Sequence, residues 1–396
     1  MSRSPWPAVI AVGVLLMVSF GSILYGFSIY VTDGSAGADF SSSMLSFAFT
    51  GSVVVSGLVA APLGRWMDNH GTRRIAAVGG LVTLFGMLAF SFADSAIALL
   101  AAWWLLIGPG TAMTYYEPAF VVINQTVDSA IRPRALGVVT VIGGFAGAIF
   151  IPLVEVMNST FGWRMTVRLL GVVIAVLGVV GSQLIPRRVR ADVASAERGG
   201  PPLREVLADR RFLLLTAGMV LLSVAFGGLI AHRVDRFTEA GFDIETVALL
   251  AGAASLISLP GRFFGPVFGG RGQAARVLAW FAAIVVVATA LTIPSGPGWF
   301  MPAHFVIYGI AFGAILPLRA LAMDQWYGRD HYGRRMGIQQ TATLVIGGLG
   351  PLLVGVLRDV SGEWFIPMLV MTIFAVTGLT GFVLAQRAHL SSASTG

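Results

Sequence analysis

The sequence predicts an all-α membrane protein of twelve transmembrane helices in two pseudo-symmetric six-helix bundles. Three observations predict it. Of 396 residues, 56% are hydrophobic and 11% charged, the reverse of the balance a soluble domain of this length needs. The apolar residues fall into about twelve runs, each near the roughly 20 residues that cross a bilayer core. One extended polar segment, 186–211, divides these runs six and six.

Taken in order, the runs are 8–31, 43–66, 75–94, 96–124, 135–157 and 163–185, then 212–232, 246–268, 275–293, 299–323, 335–357 and 364–386. The first follows Arg3 but is too long for a signal-peptide core and shows no small-residue cleavage site, so it reads as helix 1. A charged hinge, Gly64–Arg74, joins the second and third. The fourth carries Gly108-Pro109-Gly110, expected to break helical regularity against protein or a water-filled cavity. The fifth combines Gly143, Gly144 and Gly147, which permit close packing, with Pro152, which can bend it. The turn Phe161-Gly162-Trp163-Arg164 introduces the sixth. Residues 186–211, Arg-rich around Gly199-Gly200-Pro201-Pro202, read as a linker between a bundle at 1–185 and another at 212–396. The halves echo each other at an offset of about 200 residues, with Gly64 answering Gly265, Gly137 answering Gly337 and Gly162 answering Gly362, as in membrane folds built from repeats.

Composition removes several functions. The 26 basic residues are all arginine, so there is neither a lysine for a phosphate-binding loop nor one for a Schiff base. Without cysteine there is no disulfide or thiolate metal site, and His70, His232, His304, His331 and His389 are too scattered for a sequence-local metal motif. The arginines mark topology rather than nucleic-acid binding. With the N-terminus inside, most fall in cytoplasmic loops, and Arg164, Arg168, Arg233, Arg236 and Arg358 remain outside. The positive-inside rule therefore places both termini in the cytoplasm, in a plasma (inner) membrane.

The hinge reads Gly64-Arg65-Trp66-Met67-Asp68-Asn69-His70-Gly71-Thr72-Arg73-Arg74. Its glycines allow two antiparallel helices to approach closely, and Asp68 can accept from helix N-termini or pair with Arg73 or Arg74. Gly64, Asp68, Gly71, Arg73 and Arg74 match, position by position, the signature loop of the major facilitator superfamily, which the whole chain resembles. That resemblance implies two six-helix bundles, alternating access, and a cytoplasmic gate in which this loop takes part. The second copy is degraded: Gly265 and Gly272 match, but Gly269 stands where Asp68 would fall, so the gating contact is expected on one side only.

Ionisable residues inside spans are costly and are suspects for function. Arg262, in Ser258-Leu259-Pro260-Gly261-Arg262, lies about two turns from the cytoplasmic end, and a guanidinium fork suits a carboxylate. The stretch resembles the monocarboxylate and oxalate/formate branches of the superfamily, where such an arginine binds the substrate carboxylate. In the monocarboxylate branch an Asp one turn earlier takes part in proton coupling; here that place is Ser258. Pairing with the gate or a lipid phosphate is the plainer alternative for Arg262. Arg319 and its neighbour Asp324 read as gating residues, with Pro317 able to bend their helix. Glu117, beside Tyr115 and Tyr116, is a proton carrier or the static partner of an arginine. Spacing of about 100° puts only one of those tyrosines towards a cavity. Glu155 and Arg168 are expected to pair across the outer face. Gln340, with Tyr25, Tyr30, Thr341 and Tyr308, is among the polar groups on helices expected to line the path.

The substrate contacts expected are thus Arg262, Tyr115, Tyr116 and Gln340. The first reading of function is a secondary transporter for a small organic anion, moved with a proton or by exchange; the alternative is proton-driven efflux of amphipathic drugs. Paired carboxylates or an activated nucleophile at catalytic spacing are lacking, so no enzyme is expected. No cofactor or metal and no nucleic-acid partner are expected. A monomer in the lipid bilayer, with a small-molecule substrate and a coupling proton, is.

Overall fold

The computed structural model describes residues 4–32, 35–186, 203–329 and 331–393, all of whose regular structure is helical. Arg3 and most of the expected linker, 187–202, lie outside the described residues. Eleven of the described helices are long and apolar enough to span a membrane; Ala274–Ala290 is apolar but shorter. The chain forms two compact units, Met1–Gly200 with Arg329–Thr341, and Pro201–Gly328 with Ala342–Gly396.

In the first unit the helices are α1 (Trp6–Phe20), α2 (Phe27–Tyr30), α3 (Ser42–His70), α4 (Arg73–Ser91), α5 (Ala96–Ala101), α6 (Gly108–Thr114), α7 (Tyr116–Thr126), α8 (Arg132–Gly144), α9 (Ala146–Phe161) and α10 (Trp163–Ser182). Widened π-turns at Gly21–Tyr25 and Ala102–Ile107 lengthen the first and fourth spans without ending them. Small residues set the crossings. A Cβ added at Gly178 would stand 2.6 Å from the Ala76 carbonyl oxygen, which brings α4 and α10 nearly into backbone contact.

Among the described residues the second unit begins with α11 (Leu203–Ala208), which falls within the expected linker, and continues through α12 (Arg210–Glu239), α13 (Ile244–Phe268), α14 (Ala274–Ala290) and α15 (Phe300–Tyr327). α16 (Tyr332–Gly347) starts within the first unit and ends in the second; α17 (Gly350–Ser361) and α18 (Phe365–Ala393) close the chain. The halves repeat a packing device. A Cβ at Gly108 would stand 2.8 Å from the Ser52 carbonyl oxygen, and one at Gly309 equally 2.8 Å from that of Ala254.

Three expectations change. The hinge at 64–74 is mostly helix: α3 continues to His70, and only Gly71, at φ 78°, and Thr72 turn the chain. Gly108-Pro109-Gly110 is helical, because the π-turn before it carries the backbone past the proline; the break comes at Tyr115, whose backbone is extended. The seventh span runs to Glu239 rather than stopping at residue 232.

Asp209 caps α12, accepting from the backbone N–H of Arg211 at 2.9 Å, and it also accepts from the Tyr327 hydroxyl at 2.8 Å. Burial pushes its carboxyl up, but the hydrogen bonds from Arg211 and Tyr327 outweigh that and hold it below the ordinary Asp range. A depressed folded value stabilises the fold above the unfolded Asp value of about 3.9, and the gain disappears as pH falls through the folded value. Asn caps as well as Asp, so D209N isolates the charge. Its melting temperature in detergent is expected to lie below the parent's at pH 7, with the gap closing as the pH is lowered through the acid range.

Candidate functional site

In the first unit, α3 meets the start of α16 with almost no side chain between them. A Cβ at Gly64 would stand 2.0 Å from the Gly333 carbonyl oxygen, and one at Gly337 2.2 Å from that of Ala60. Gly64 therefore admits α16, where the sequence had suggested a closer approach to the third span. At this crossing Asp68, 6% exposed, accepts from the backbone N–H of Gly333 at 2.8 Å and of Arg334 at 2.7 Å. Those amides belong to the first turn of α16, which has no intrahelical acceptors and carries the positive end of the helix dipole. A helix N-terminus, one of the two partners open to Asp68 in the sequence, is thus among those it has. Arg73 donates to the Gln183 side chain, and Arg74 is exposed.

A complementary contact lies one turn away. Arg329 donates to the carbonyls of Asn124 at 3.1 Å and Val127 at 3.2 Å, at the C-terminus of α7, whose partial charge is negative. Carboxylate and guanidinium thus each meet the helix end of opposite sign. Gln125 adds a bond to the Met67 carbonyl at 3.2 Å. Its counterpart in the second unit, Gln325, accepts from Ala274 N–H at 3.0 Å and donates to the Gly269 carbonyl at 2.8 Å, closing the turn whose aspartate is missing. Gln125 and Gln325 are offset in the sequence like the glycines, a further trace of the repeat.

The break at Tyr115 alters the geometry of the fourth span. Helical spacing would separate the Tyr115 and Tyr116 rings, yet both meet Phe20 edge-on, with centroids 4.8 and 5.6 Å away. Glu117, 9% exposed, follows in the first turn of α7, where a carboxylate is favoured by the dipole. Gln340 is half-buried on α16. Two polar groups expected on the path are committed elsewhere: the Tyr30 hydroxyl donates to the Ser22 carbonyl at 3.1 Å and that of Thr341 to the Gly57 carbonyl at 2.6 Å. Arg168 does not pair with Glu155. It donates to Ser91 Oγ at 2.9 Å and covers the Phe92 ring at 4.2 Å, while Glu155 is exposed. Asp39 pairs with Arg164 at 2.8 Å.

In the second unit Arg262 is 7% exposed and its Nε donates to Ser258 Oγ at 3.1 Å, one turn back on α13. The neighbouring backbone is held tightly, since a Cβ at Gly313 would stand 2.1 Å from the Ser258 carbonyl oxygen and 3.1 Å from Arg262 N. Arg319 is fully buried on α15, and Asp324 follows at 8% exposure. A cavity of about 520 Å³ opens elsewhere in this unit, lined by Arg210, Arg211, Arg387 and Ser391. It lies at the helix ends beside Asp209, away from Arg262.

A chain of apolar spans in two repeat-related units, with charges placed on helix ends and inside the spans, has the architecture of a membrane transporter. It belongs to the Major Facilitator Superfamily, whose model matches residues 9–324. It is a multi-pass carrier, of a family that is generally secondary active, and not an enzyme. Among curated proteins it is similar to monocarboxylate transporter 13 of Rattus norvegicus, 25% identical over 378 residues, covering 94% of this chain and 87% of that one. Among solved structures it shares its fold with the human organic anion transporter MFSD10 (TETRAN), at 15% identity, TM-score 0.72 and coverage of 97% and 100%. The E. coli fucose:proton symporter FucP is similar at 14% identity and TM-score 0.74, covering 97% and 99%.

Removing the Asp68 carboxylate should free the first turn of α16. In D68A, the amides of Gly333 and Arg334 are expected to exchange hydrogen about ten-fold faster than in the parent, the equivalent of about 1.4 kcal/mol, near the lower bound for a bond to a charged group. Hydrogen-exchange mass spectrometry of the peptide around 329–341 measures it.

Proposed function

We propose that this carrier moves a small organic anion of the monocarboxylate kind, by proton symport or by exchange, with Arg262 as the anion anchor. The observation that carries the reading is Arg262 itself, a buried guanidinium in a membrane-spanning helix whose neighbour one turn back is the neutral hydroxyl of Ser258. An ionisable group inside a span is a candidate for function, and the planar fork of a guanidinium matches a carboxylate in charge and shape. Similarity to proteins named monocarboxylate transporters over 94% of the chain supports the same class.

In this reading Tyr115, Tyr116 and Gln340 supply further substrate contacts and Glu117 carries the coupling proton. Asp68, with Gly64, Gly71, Arg73 and Arg74, latches the cytoplasmic side, and Arg319 with Asp324 serves the gate. The arginine distribution orients both termini to the cytoplasm of a plasma (inner) membrane, and a single chain suffices for transport. Proton-driven efflux of amphipathic drugs remains the second reading, favoured by the aromatic group around Phe20 and the buried Glu117 beside it.

Uptake of lactate and related monocarboxylates into proteoliposomes separates the two. R262Q is expected to lower kcat/KM by about 100-fold, equal to about 2.7 kcal/mol of transition-state stabilisation. Transport of every carboxylate unchanged in R262Q, with drug efflux abolished in E117Q, would replace the first reading by the second.

A further inference from the structure

Three arginines stand towards the end of the second unit where α12 gives way to α13, and two of them have hydrogen-bonding partners in the protein. Arg236 donates to the carbonyls of Thr292 at 2.9 Å, Ile293 at 3.2 Å and Pro294, the open C-terminal end of α14. Arg358 pairs with Glu239 at 2.8 Å. Arg233, one turn before Arg236, is different. It is 8% exposed, it makes no hydrogen bond or ion pair to a described residue, and its Nη1 is buried without a partner. What it touches are two ring faces of α15, Phe305 at 5.0 Å and Tyr308 at 4.9 Å. Cation–π attraction of this kind recovers only part of what a guanidinium loses on leaving water. The folded chain therefore keeps one cation under-compensated where two neighbours of the same type are satisfied.

The surroundings define what would complete it. Tyr308 stacks between His304, centroids 5.5 Å apart, and Phe312, also 5.5 Å, and Phe226 of α12 meets both Tyr308 and Phe312 edge-on. His304 is turned into the core by its Nδ1 contact to the Ala288 carbonyl at 2.7 Å. A fork of donors beside a wall of rings suits a planar monoanion with a small apolar or aromatic body. A dianion would need a second available cation, and Arg236 is occupied.

This place is separate from Arg262. The connection between α12 and α13 is short, from Glu239 to Ile244, so the two helices run in opposite directions. Arg233 lies six residues before the end of α12, and Arg262 eighteen residues beyond the start of α13. At 1.5 Å per residue the two are about 18 Å apart along the span.

We propose that Arg233, with Phe305 and Tyr308, is a second carboxylate-binding site, at which the anion is held at the opposite end of the second unit from Arg262. The inference rests on the organic-anion reading but is tested apart from it. Purified full-length protein, R233Q, R233K and R262Q are compared by thermal shift with benzoate and with lactate, and by uptake of the same probes into proteoliposomes. The ligand-free melting temperature of R233Q is expected to equal or exceed the parent's, because an under-compensated charge has been removed, while the benzoate-induced shift shrinks. KM is expected to rise about ten-fold, one charge-assisted bond's worth of affinity, with a smaller change in kcat, and R233K is expected to recover part of it. R262Q should retain a residual benzoate shift that R233Q/R262Q loses.

An R233Q protein that melts lower without ligand, or does not fold, would assign Arg233 to the scaffold and overturn the proposal. So would an R233Q whose KM and ligand shift match the parent's; if R262Q then still abolishes carboxylate transport, the Arg262 reading stands alone. Failure of the parent to bind either carboxylate would overturn both.

Discussion

A charged or polar group inside a membrane span has no water to turn to, so the protein must supply its partner. Much of the architecture follows from how that is done. One solution that recurs among the described residues is the end of a helix. Asp68 takes two N–H groups from the first turn of α16. Arg329 takes carbonyls at the end of α7, and Arg236 takes those at the end of α14. Each contact satisfies two deficits together, the charge of the side chain and the unpaired backbone groups that every helix leaves at its termini.

Close backbone approach makes those contacts reachable. Asp68 is a short side chain, and it spans the gap to α16 only because Gly64 and Gly333 face each other with no Cβ between them. Glycine contacts also hold α4 on α10 and α13 on α15. In a bilayer, where apolar surface alone does not draw helices together, this van der Waals packing carries much of the association. A contact made to backbone at one helix end has a dynamic consequence as well. Its geometry depends on the position of the whole helix rather than on a rotamer, so moving the helix breaks every bond of the contact together.

How much of this was legible varies residue by residue. The twelve runs, the hinge and the candidate roles of Asp68 stand in the sequence, since hydropathy, length and glycine spacing are local properties. The seventh span looked as if it ended at residue 232 because Arg233, Asp235, Arg236 and Glu239 follow. A helix can carry those charges when its flank is covered by protein, and Arg233 lies within α12. Arg168 and Glu155 looked like a pair because both lie near the same ends of their spans. Depth alone does not fix azimuth, and Arg168 turns to Ser91 and Phe92 instead. Ideal helical spacing also set Tyr115 and Tyr116 apart, whereas the backbone break brings both to Phe20.

The sequence by itself determined the class of element and the family, because each depends on sums along the chain: enough apolar residues to cross a bilayer and enough motif positions to match. The tertiary structure alone decided which partner each polar group has. That choice turns on how closely one helix crosses another and on the rotation of each about its axis, neither of which is encoded by hydropathy. Arg236 and Arg233 sit one turn apart on the same helix. Only the packing of α14 and α15 around them makes one a capped helix end and the other a cation held against two rings.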